Sequence, residues 1–156
     1  MSTFQGFPRI TPFLWFDSNA EEAVDFYLTV FKNSRRLDVL RRVDDSTGPR
    51  GSILTISFEL DGQKFTALNG GPIYKFNEAI SFVVRCDTQQ EVDEYWSKLS
   101  AGGVEIQCGW LKDKFGVAWQ IVPVRLFDLI RNPKAMQAML GMKKLDIGEL
   151  ERAAQS

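Results

Sequence analysis

The residues best suited to chemistry lie in a predicted hairpin at positions 108–123, where one carboxamide interrupts an apolar strand. The pattern predicts a strand, a tight turn and a second strand. Side chains alternate along a strand, so Gln120 and Val122 share one face while Trp119 and Ile121 share the other. The amide of Gln120 therefore lies on a largely apolar sheet face, where it can both donate and accept hydrogen bonds.

The chain contains no histidine among its 156 residues. Imidazole is the commonest general base near neutral pH and the commonest metal ligand. Its absence excludes a Ser-His-Asp triad, a Cys-His pair and every zinc site that uses histidine. Two cysteines, Cys86 and Cys108, are too few for an all-cysteine zinc site or a disulfide framework. We expect both to be buried apolar side chains.

The composition is that of an ordinary globular domain, with 44% hydrophobic and 25% charged residues. The formal net charge of -1 offers no basic excess for binding nucleic acid. No apolar run approaches the roughly 20 residues of a membrane helix, and the N-terminal segment does not have the pattern of a signal peptide. We therefore expect a single cytoplasmic domain over residues 1–156, with no nucleic acid or membrane partner.

Hydrophobic periodicity defines the elements that must position Gln120. Apolar residues alternate with polar ones over 54–60, which is typical of a half-buried strand, and recur with helical spacing over 20–31. Strands are predicted at 9–16, 34–43, 52–60, 63–69, 79–86, 104–111 and 117–122, and helices at 20–31, 89–100, 126–131, 133–140 and 146–153.

The order of these elements repeats. Each half has a strand, a helix opened by an aspartate, and a turn glycine followed by an aromatic–polar pair, which indicates a duplicated module. The alternative is chance similarity between short strands. The predicted modules are 9–71 and 79–123, followed by a C-terminal helical segment at 124–156. The matching residues are Thr11 and Ser81, Asp17 and Asp87, Gly62 and Gly116, Phe65 and Trp119, and Thr66 and Gln120.

With AVDFY on the first helix and DxxGxxxQI on the last hairpin, the sequence resembles the vicinal oxygen chelate (glyoxalase/bleomycin-resistance/dioxygenase) superfamily. The segments ITPFLWF, NGGP, AISFVV, EVDEYW, CGWLKDKFGVAWQIVP and MKKLDIGELE are similar to its PhnB-like, demethylubiquinone 3-methyltransferase-type group. The resemblance implies an α+β fold of two βαβββ modules, forming curled mixed sheets with a cup, plus short C-terminal helices.

Catalytic members of the superfamily hold a divalent metal in this cup, on ligands from the first and last strands of the modules. The resemblance and the internal register point to Thr11, Thr66, Ser81 and Gln120 at those positions, and only Gln120 is a residue type that the superfamily uses. Four neutral oxygens replace the hydration of a divalent cation poorly. We therefore expect a metal-free cup and no cofactor. Gln120 then either anchors an uncharged or anionic ligand or satisfies backbone groups.

The aromatic residues have two competing interpretations. Those on predicted strands can fill the core between sheet and helix, or together line an apolar ligand site. We take Phe13, Trp15 and Trp110 as candidate ligand contacts. Asp113 and Lys114, in the turn of the closing hairpin, are expected to be solvated.

Three functions remain in competition. The first is a protein that binds a small, partly apolar molecule. The second is a metal-dependent lyase, isomerase or dioxygenase, whose extra carboxylates would come from Glu59 or Glu78. The third, methyl transfer, lacks the Gly-rich strand-to-helix turn that nucleotide-derived donors usually need. The PhnB-like group is usually dimeric, and open sheet edges favour pairing, so we expect a homodimer whose cups are built partly from the C-terminal segment or the partner chain.

Overall fold

The structure is a computed structural model that describes residues 4–156. Residues 1–3, which belong to the predicted single domain and to the segment considered as a signal peptide, lie outside the described residues. The chain divides into two compact units, the first ending at Lys75 and the second running from Phe76 to Ser156.

The first unit contains one helix and a four-stranded mixed sheet. Its elements are β1 (Phe13–Phe16), α1 (Ala20–Val30), β2 (Ser34–Arg41), β3 (Ile53–Leu60) and β4 (Gln63–Asn69). The strand order is β1-β4-β3-β2, in which β1 and β4 are parallel and the other neighbours antiparallel. Tyr27 of α1 stacks on Phe58, whose ring stacks on Phe65 with centroids 5.2 Å apart. The core of this unit therefore lies between α1 and one face of the sheet.

The second unit repeats this order and then continues into helices. Its elements are β5 (Ser81–Cys86), α2 (Gln89–Ser100), β6 (Val104–Glu105), β7 (Trp110–Lys112), β8 (Ala118–Pro123), α3 (Leu126–Leu129), α4 (Pro133–Leu140) and α5 (Ile147–Gln155). The strand order β5-β8-β7-β6 matches that of the first sheet. The predicted α+β fold class, two βαβββ modules with short C-terminal helices, is confirmed.

The C-terminal helices belong to the second unit and are fastened to it by hydrogen bonds. The side chain of Gln89 donates to the carbonyl of Leu145 at 3.0 Å and accepts from the amide of Ile147 at 2.8 Å. Leu145 and Leu150 are fully buried in an apolar cluster that also contains Val122 of β8. Because this cluster excludes water from the end of β8, the helices are an integral part of the second unit.

Two predicted strands differ from the observed ones by more than two residues. The first was predicted over 9–16 but begins at Phe13. Pro8 and Pro12 have no N–H to give to a sheet, although the Pro12 carbonyl still accepts from Thr66 at 3.0 Å.

The other, predicted over 104–111, is split into β6 and β7. Cys108 and Gly109 have positive φ values of 60° and 84°, which turn the chain out of the strand. Their amides donate to the carbonyls of Met142 and Lys143 instead, at 2.7 and 2.8 Å. The C-terminal segment therefore replaces a strand partner at this point.

Candidate ligand-binding site

Gln120 lies in the middle strand of a three-strand row on the second sheet. It pairs with Val83 of β5 on one side and Trp110 of β7 on the other. Directly paired residues share a face of a sheet. Trp119 and Ile121 are buried on the opposite face, as the alternation predicted. The amide thus lies between an aromatic and an aliphatic side chain, and Val83 is 59% exposed.

The Gln120 amide is held by one hydrogen bond, from its Nε2 to the Oγ of Ser81 at 2.8 Å. Over residues 4–156 its Oε1 and its second N–H make no other hydrogen bond, and the indole N–H of Trp110 makes none. The Ser81 hydroxyl accepts from Gln120 and can still donate its own proton. Three of the seven predicted site residues are therefore brought together, with hydrogen-bonding groups left over.

The turn that joins β7 to β8 is built around Asp113, for which the prediction from the sequence was wrong. We predicted a solvated side chain, but Asp113 is only 3% exposed. Its Oδ1 accepts from the amides of Phe115 and Val117 at 2.8 and 3.1 Å, and its Oδ2 accepts from the Trp119 indole at 2.9 Å. A carboxylate can be buried when both of its oxygens accept hydrogen bonds in this way. Lys114 beside it is exposed, as predicted.

An Asp at the start of a tight turn that has a tryptophan six residues later is a signal that could have revealed this role, because Asp side chains commonly accept from the amide two residues on. The carboxylate fixes the turn and the neighbour of Gln120 together. Asp113 is therefore a structural support of the site, and it was missed because its partner is reached through space.

An ion pair lies at the start of the same hairpin. Lys112 Nζ lies 2.7 Å from Glu78 Oε1. The hydrogen bond from Lys112 lowers the pKa of the Glu78 carboxyl below its ordinary value. Lys112 is paired with Ala118 in the ladder next to the Gln120 row. Its positive charge is thus already committed to a carboxylate.

The first unit has a different arrangement at the corresponding position. Thr66 pairs with Phe13 on one side and Ser57 on the other, as Gln120 pairs with Val83 and Trp110. Thr66 and Ser57 are both fully buried, and their hydroxyl oxygens lie 2.9 Å apart. Neither hydroxyl is accessible to a ligand. Thr11 lies two residues before Phe13, just as Ser81 lies two residues before Val83, but its hydroxyl donates to the carbonyl of Pro8.

Trp15 is the remaining predicted contact. Its indole N–H donates to the Gly71 carbonyl at 2.9 Å, and its ring meets Tyr74 edge-on at a centroid distance of 4.9 Å. A Cβ at Gly70 would lie 2.3 Å from the Trp15 ring, so only glycine fits there. Trp15 thus holds the NGGP segment against β1, while Phe13 is 51% exposed beside Thr66.

The four predicted ligand positions do not fit a divalent metal. They supply three hydroxyls and one amide, and the Thr66 hydroxyl is buried against Ser57. Glu59 and Glu78, the carboxylates considered for completing a site, are engaged by Arg35 at 3.6 Å and Lys112 at 2.7 Å. The described part of the chain contains no group of three or more His, Cys, Asp or Glu residues arranged to hold a metal.

The thiols also differ from each other. Cys86 is fully buried as predicted, and desolvation, with smaller contributions from Glu91 and Asp87, raises its pKa to about 12. Cys108 is only half-buried, because its positive φ takes it out of the strand. Cys86 is therefore not an activated nucleophile, because activation requires a lowered thiol pKa.

A cavity of about 590 Å³ lies in the first unit. It is bounded by the start of α1, the loop between β2 and β3, and the end of β4 with the following glycines. None of Thr11, Phe13, Trp15 or Thr66 lines it. We place the candidate ligand site at Gln120 because free hydrogen-bonding groups and apolar surface coincide there.

In each βαβββ module the first strand is parallel to the last, and the last strand carries a polar residue, Thr66 or Gln120, at the same register position. These features define a member of the vicinal oxygen chelate fold. Residues 8–122 match the model of the 3-demethylubiquinone-9 3-methyltransferase family. That match covers more than half of the chain, and the protein therefore belongs to this family, as its resemblance to the PhnB-like group predicted.

Solved structures agree with this assignment. The PhnB protein from Bacillus cereus is 32% identical, with a TM-score of 0.67 over 75% of this chain and 100% of its own. Protein PA1353 from Pseudomonas aeruginosa is 21% identical, with a TM-score of 0.61 over 74% of this chain and 97% of its own.

The fosfomycin resistance protein FosX from Listeria monocytogenes, in a complex with Mn(II) and sulfate, is 13% identical with a TM-score of 0.51, over 80% of this chain and 94% of its own. The last two likenesses show the fold alone. A comparison with curated proteins finds no match. None of the helices between residues 4 and 156 has the length and hydrophobicity of a membrane-spanning segment.

Proposed function

We propose that the protein binds a small, partly apolar molecule, uncharged or anionic, on the sheet face around Gln120. The observation that carries this proposal is the Gln120 amide, which keeps an acceptor and a donor free between Trp110 and Val83. Apolar walls with a few placed polar groups are what small-molecule sites need. The Trp110 ring offers a flat surface for a planar ligand, and the Ser81 hydroxyl adds a second donor.

The chemistry of the free groups narrows the ligand. Gln120, Ser81 and Trp110 together offer more donors than acceptors, which favours a ligand that carries carbonyl, phenolate or similar oxygens. The Lys112 charge is engaged by Glu78, so a strongly charged ligand would have to compete with that ion pair. No side chain of this cluster has the pKa or geometry of a general base, and binding rather than catalysis is therefore proposed.

The test is a panel of planar, oxygen-bearing aromatic compounds screened by thermal shift, with hits measured by calorimetry. Gln120→Leu should weaken a genuine ligand at least about tenfold, because a buried hydrogen bond to it is lost. Gln63→Leu, at an exposed glutamine of β4, is the matched control and should bind normally. If no compound stabilises the protein, or if hits bind Gln120→Leu as well as wild type, the proposal fails.

A metal-dependent lyase, isomerase or dioxygenase is the competing function. It is favoured by the fold shared with FosX of Listeria monocytogenes, whose structure contains Mn(II). Elemental analysis of protein purified without chelator tests it. Stoichiometric metal would support the enzyme, and its absence, together with no stabilisation by added Mn²⁺, would eliminate it.

For methyl transfer, which the family description names, the described residues offer no donor-binding turn of the usual kind. The Gly70-Gly71 segment follows β4 and leads into β5 without an intervening helix. A Gly-rich turn that binds a nucleotide-derived donor connects a strand to a helix. Calorimetry with S-adenosylmethionine would show binding if this interpretation is wrong.

We also propose a homodimer. β2 is an edge strand in which Val39 and Leu40 are 38% and 44% exposed, and an exposed apolar edge favours pairing with another chain. Light scattering at micromolar concentration should give twice the mass of the chain. A monomer mass would reject the proposal.

A further inference from the structure

The cavity of the first unit has walls that are fixed by hydrogen bonds. The guanidinium of Arg42 donates to Thr47 Oγ1 at 3.2 Å, Ser52 Oγ at 2.9 Å, Ile53 O at 3.0 Å and Asn69 O at 2.9 Å. Four of the five N–H groups of this half-buried side chain are thus used inside the protein. One residue holds the β2–β3 loop against the end of β4.

A second residue joins this wall to the helix. The side chain of Asn69 accepts from the amide of Ala20 at 2.9 Å and donates to the carbonyl of Ile53 at 3.1 Å. Asn69, at the end of β4, thereby caps the N-terminus of α1. The side chain of the N-cap residue, Asn19, makes no capping hydrogen bond. The cavity is consequently preorganised, so a ligand would not have to order its walls.

Two opposite charges on these walls have no oppositely charged partner within the part of the chain that the structure describes. Asp17 and Arg41 both line the cavity and are exposed. Arg41 gives one bond, to the Gly51 carbonyl at 3.0 Å, and has no carboxylate partner among residues 4–156. The Asp17 carboxylate makes neither a hydrogen bond nor an ion pair in that range, and it is not paired with Arg41.

The other two charged side chains of the cavity already have hydrogen-bond partners. Glu21 is paired with Arg36, whose Nη1 lies 3.2 Å from its Oε2, and the Arg42 guanidinium donates to four neutral oxygen atoms of the protein. A bound anion would be attracted by Arg41 but repelled by Asp17, and a bound cation the reverse. A molecule carrying both charges satisfies both groups at once.

We propose that this cavity binds a small zwitterion, with a carboxylate directed to Arg41 and an ammonium group directed to Asp17. The volume of about 590 Å³ is within the range of small-molecule sites and exceeds what a simple ion would occupy. The cavity is lined by other residues than the Gln120 cluster, and this proposal does not depend on the function proposed for that cluster.

The test is calorimetric titration of the whole protein with a series of ω-amino acids: glycine, β-alanine, 4-aminobutanoate and 6-aminohexanoate. The series varies the separation of the two charges. Butanoate and butylamine carry one charge each and are the matched controls. We expect saturable binding for at least one chain length, at least tenfold tighter than for either control.

Two variants assign the contacts. Asp17→Asn and Arg41→Gln change exposed residues and should leave the melting temperature unchanged, while each weakens the zwitterion at least tenfold. Arg50 is an exposed arginine of the β2–β3 loop that does not line the cavity, so Arg50→Gln should bind the zwitterion like wild type. No saturable binding at millimolar concentration, or equal affinity for wild type and both cavity variants, would overturn the proposal.

Discussion

The two units use the same architecture but differ at the middle of their final strands. In the first unit Thr66 lies beside Ser57, and the two buried hydroxyls bond to each other. In the second unit Gln120 lies beside Trp110, which leaves its amide to reach across to Ser81. The identity of one neighbour in the adjacent strand thus decides whether the polar group is closed off or remains accessible.

The turns before these strands differ in the same sense. The first unit uses a two-residue turn in which Asp61 and Gly62 have φ values of 50° and 89°, and both are exposed. The second uses a longer turn closed over the buried carboxylate of Asp113. The two modules therefore keep the same strand order, although the polar residue of the final strand is buried in the first module and accessible in the second.

The largest expected effect distinguishes the two turns. Asp113→Asn removes the charge and one acceptor oxygen from a buried site with three donors, so unfolding free energy should fall by about 3 kcal/mol. Asp61→Asn is the matched change in the first unit, and Asn tolerates a positive φ. It should cost less than about 0.5 kcal/mol in urea unfolding. Similar losses for both variants would contradict the distinction.

A smaller effect separates Thr66 from Gln120. Thr66→Val leaves the buried Ser57 hydroxyl without its partner and should cost about 2 kcal/mol. Adding Ser57→Ala should recover part of that loss, because both polar groups are then gone. Gln120→Leu should change stability by less than about 0.5 kcal/mol, since the site is accessible. A large loss of stability in Gln120→Leu would make its amide structural.

Thiol labelling can show which unit is destabilised by Asp113→Asn and which by Thr66→Val, because both cysteines lie in the second unit. At pH 8, with a pKa of about 12, Cys86 should react at least ~100-fold more slowly than Cys108. Cys108→Ser should remove the fast phase. Asp113→Asn should accelerate the slow phase, whereas Thr66→Val should not. Equal acceleration by both variants would mean that the units open together.

The raised thiol pKa also gives a pH dependence for this unit. An unfolded thiol loses its proton near its ordinary value of 9.0, but buried Cys86 keeps its proton up to about 12. The unfolded state therefore binds fewer protons in that interval. The contribution of Cys86 to the free energy of unfolding should be fully present below pH 9.0 and should be lost between pH 9.0 and 12. Cys86→Ala should show a weaker fall over the same interval than wild type.

The smallest effect concerns the ion pair at the edge of the hairpin. The pKa of Glu78 is lowered in the folded state, so its pairing with Lys112 stabilises the fold above the ordinary glutamate range and is lost as pH falls through the lowered value. Glu78→Gln should lower the melting temperature slightly at pH 7 and not at all at strongly acid pH. Lys112→Gln should do the same, and the two changes should not add.

The sequence by itself determined the architecture. Period-2 and period-3.6 hydrophobic patterns located the strands and helices, and the recurring caps and turns predicted a duplicated module. The resemblance of its motifs to the PhnB-like group implied the βαβββ fold and the family. The face of Gln120 followed from alternation alone, and so did its equivalence to Thr66. These features are local or repeat along the chain, so a single sequence is enough to reveal them.

Only the tertiary structure decided which polar groups are free. Thr66 and Gln120 occupy equivalent positions, yet the Thr66 hydroxyl is bonded to Ser57 and buried, whereas the Gln120 amide beside Trp110 is accessible. The hydrophobic pattern does not give the register between neighbouring strands, so it could not predict these partners. Asp113 was expected to be solvated, but it is buried and its carboxylate accepts a hydrogen bond from the Trp119 indole. The cavity walls depend on Arg42 and Asn69, whose partners lie up to 49 residues away in the chain. Hydrogen bonds are short-range and directional, so only the folded chain determines which groups pair.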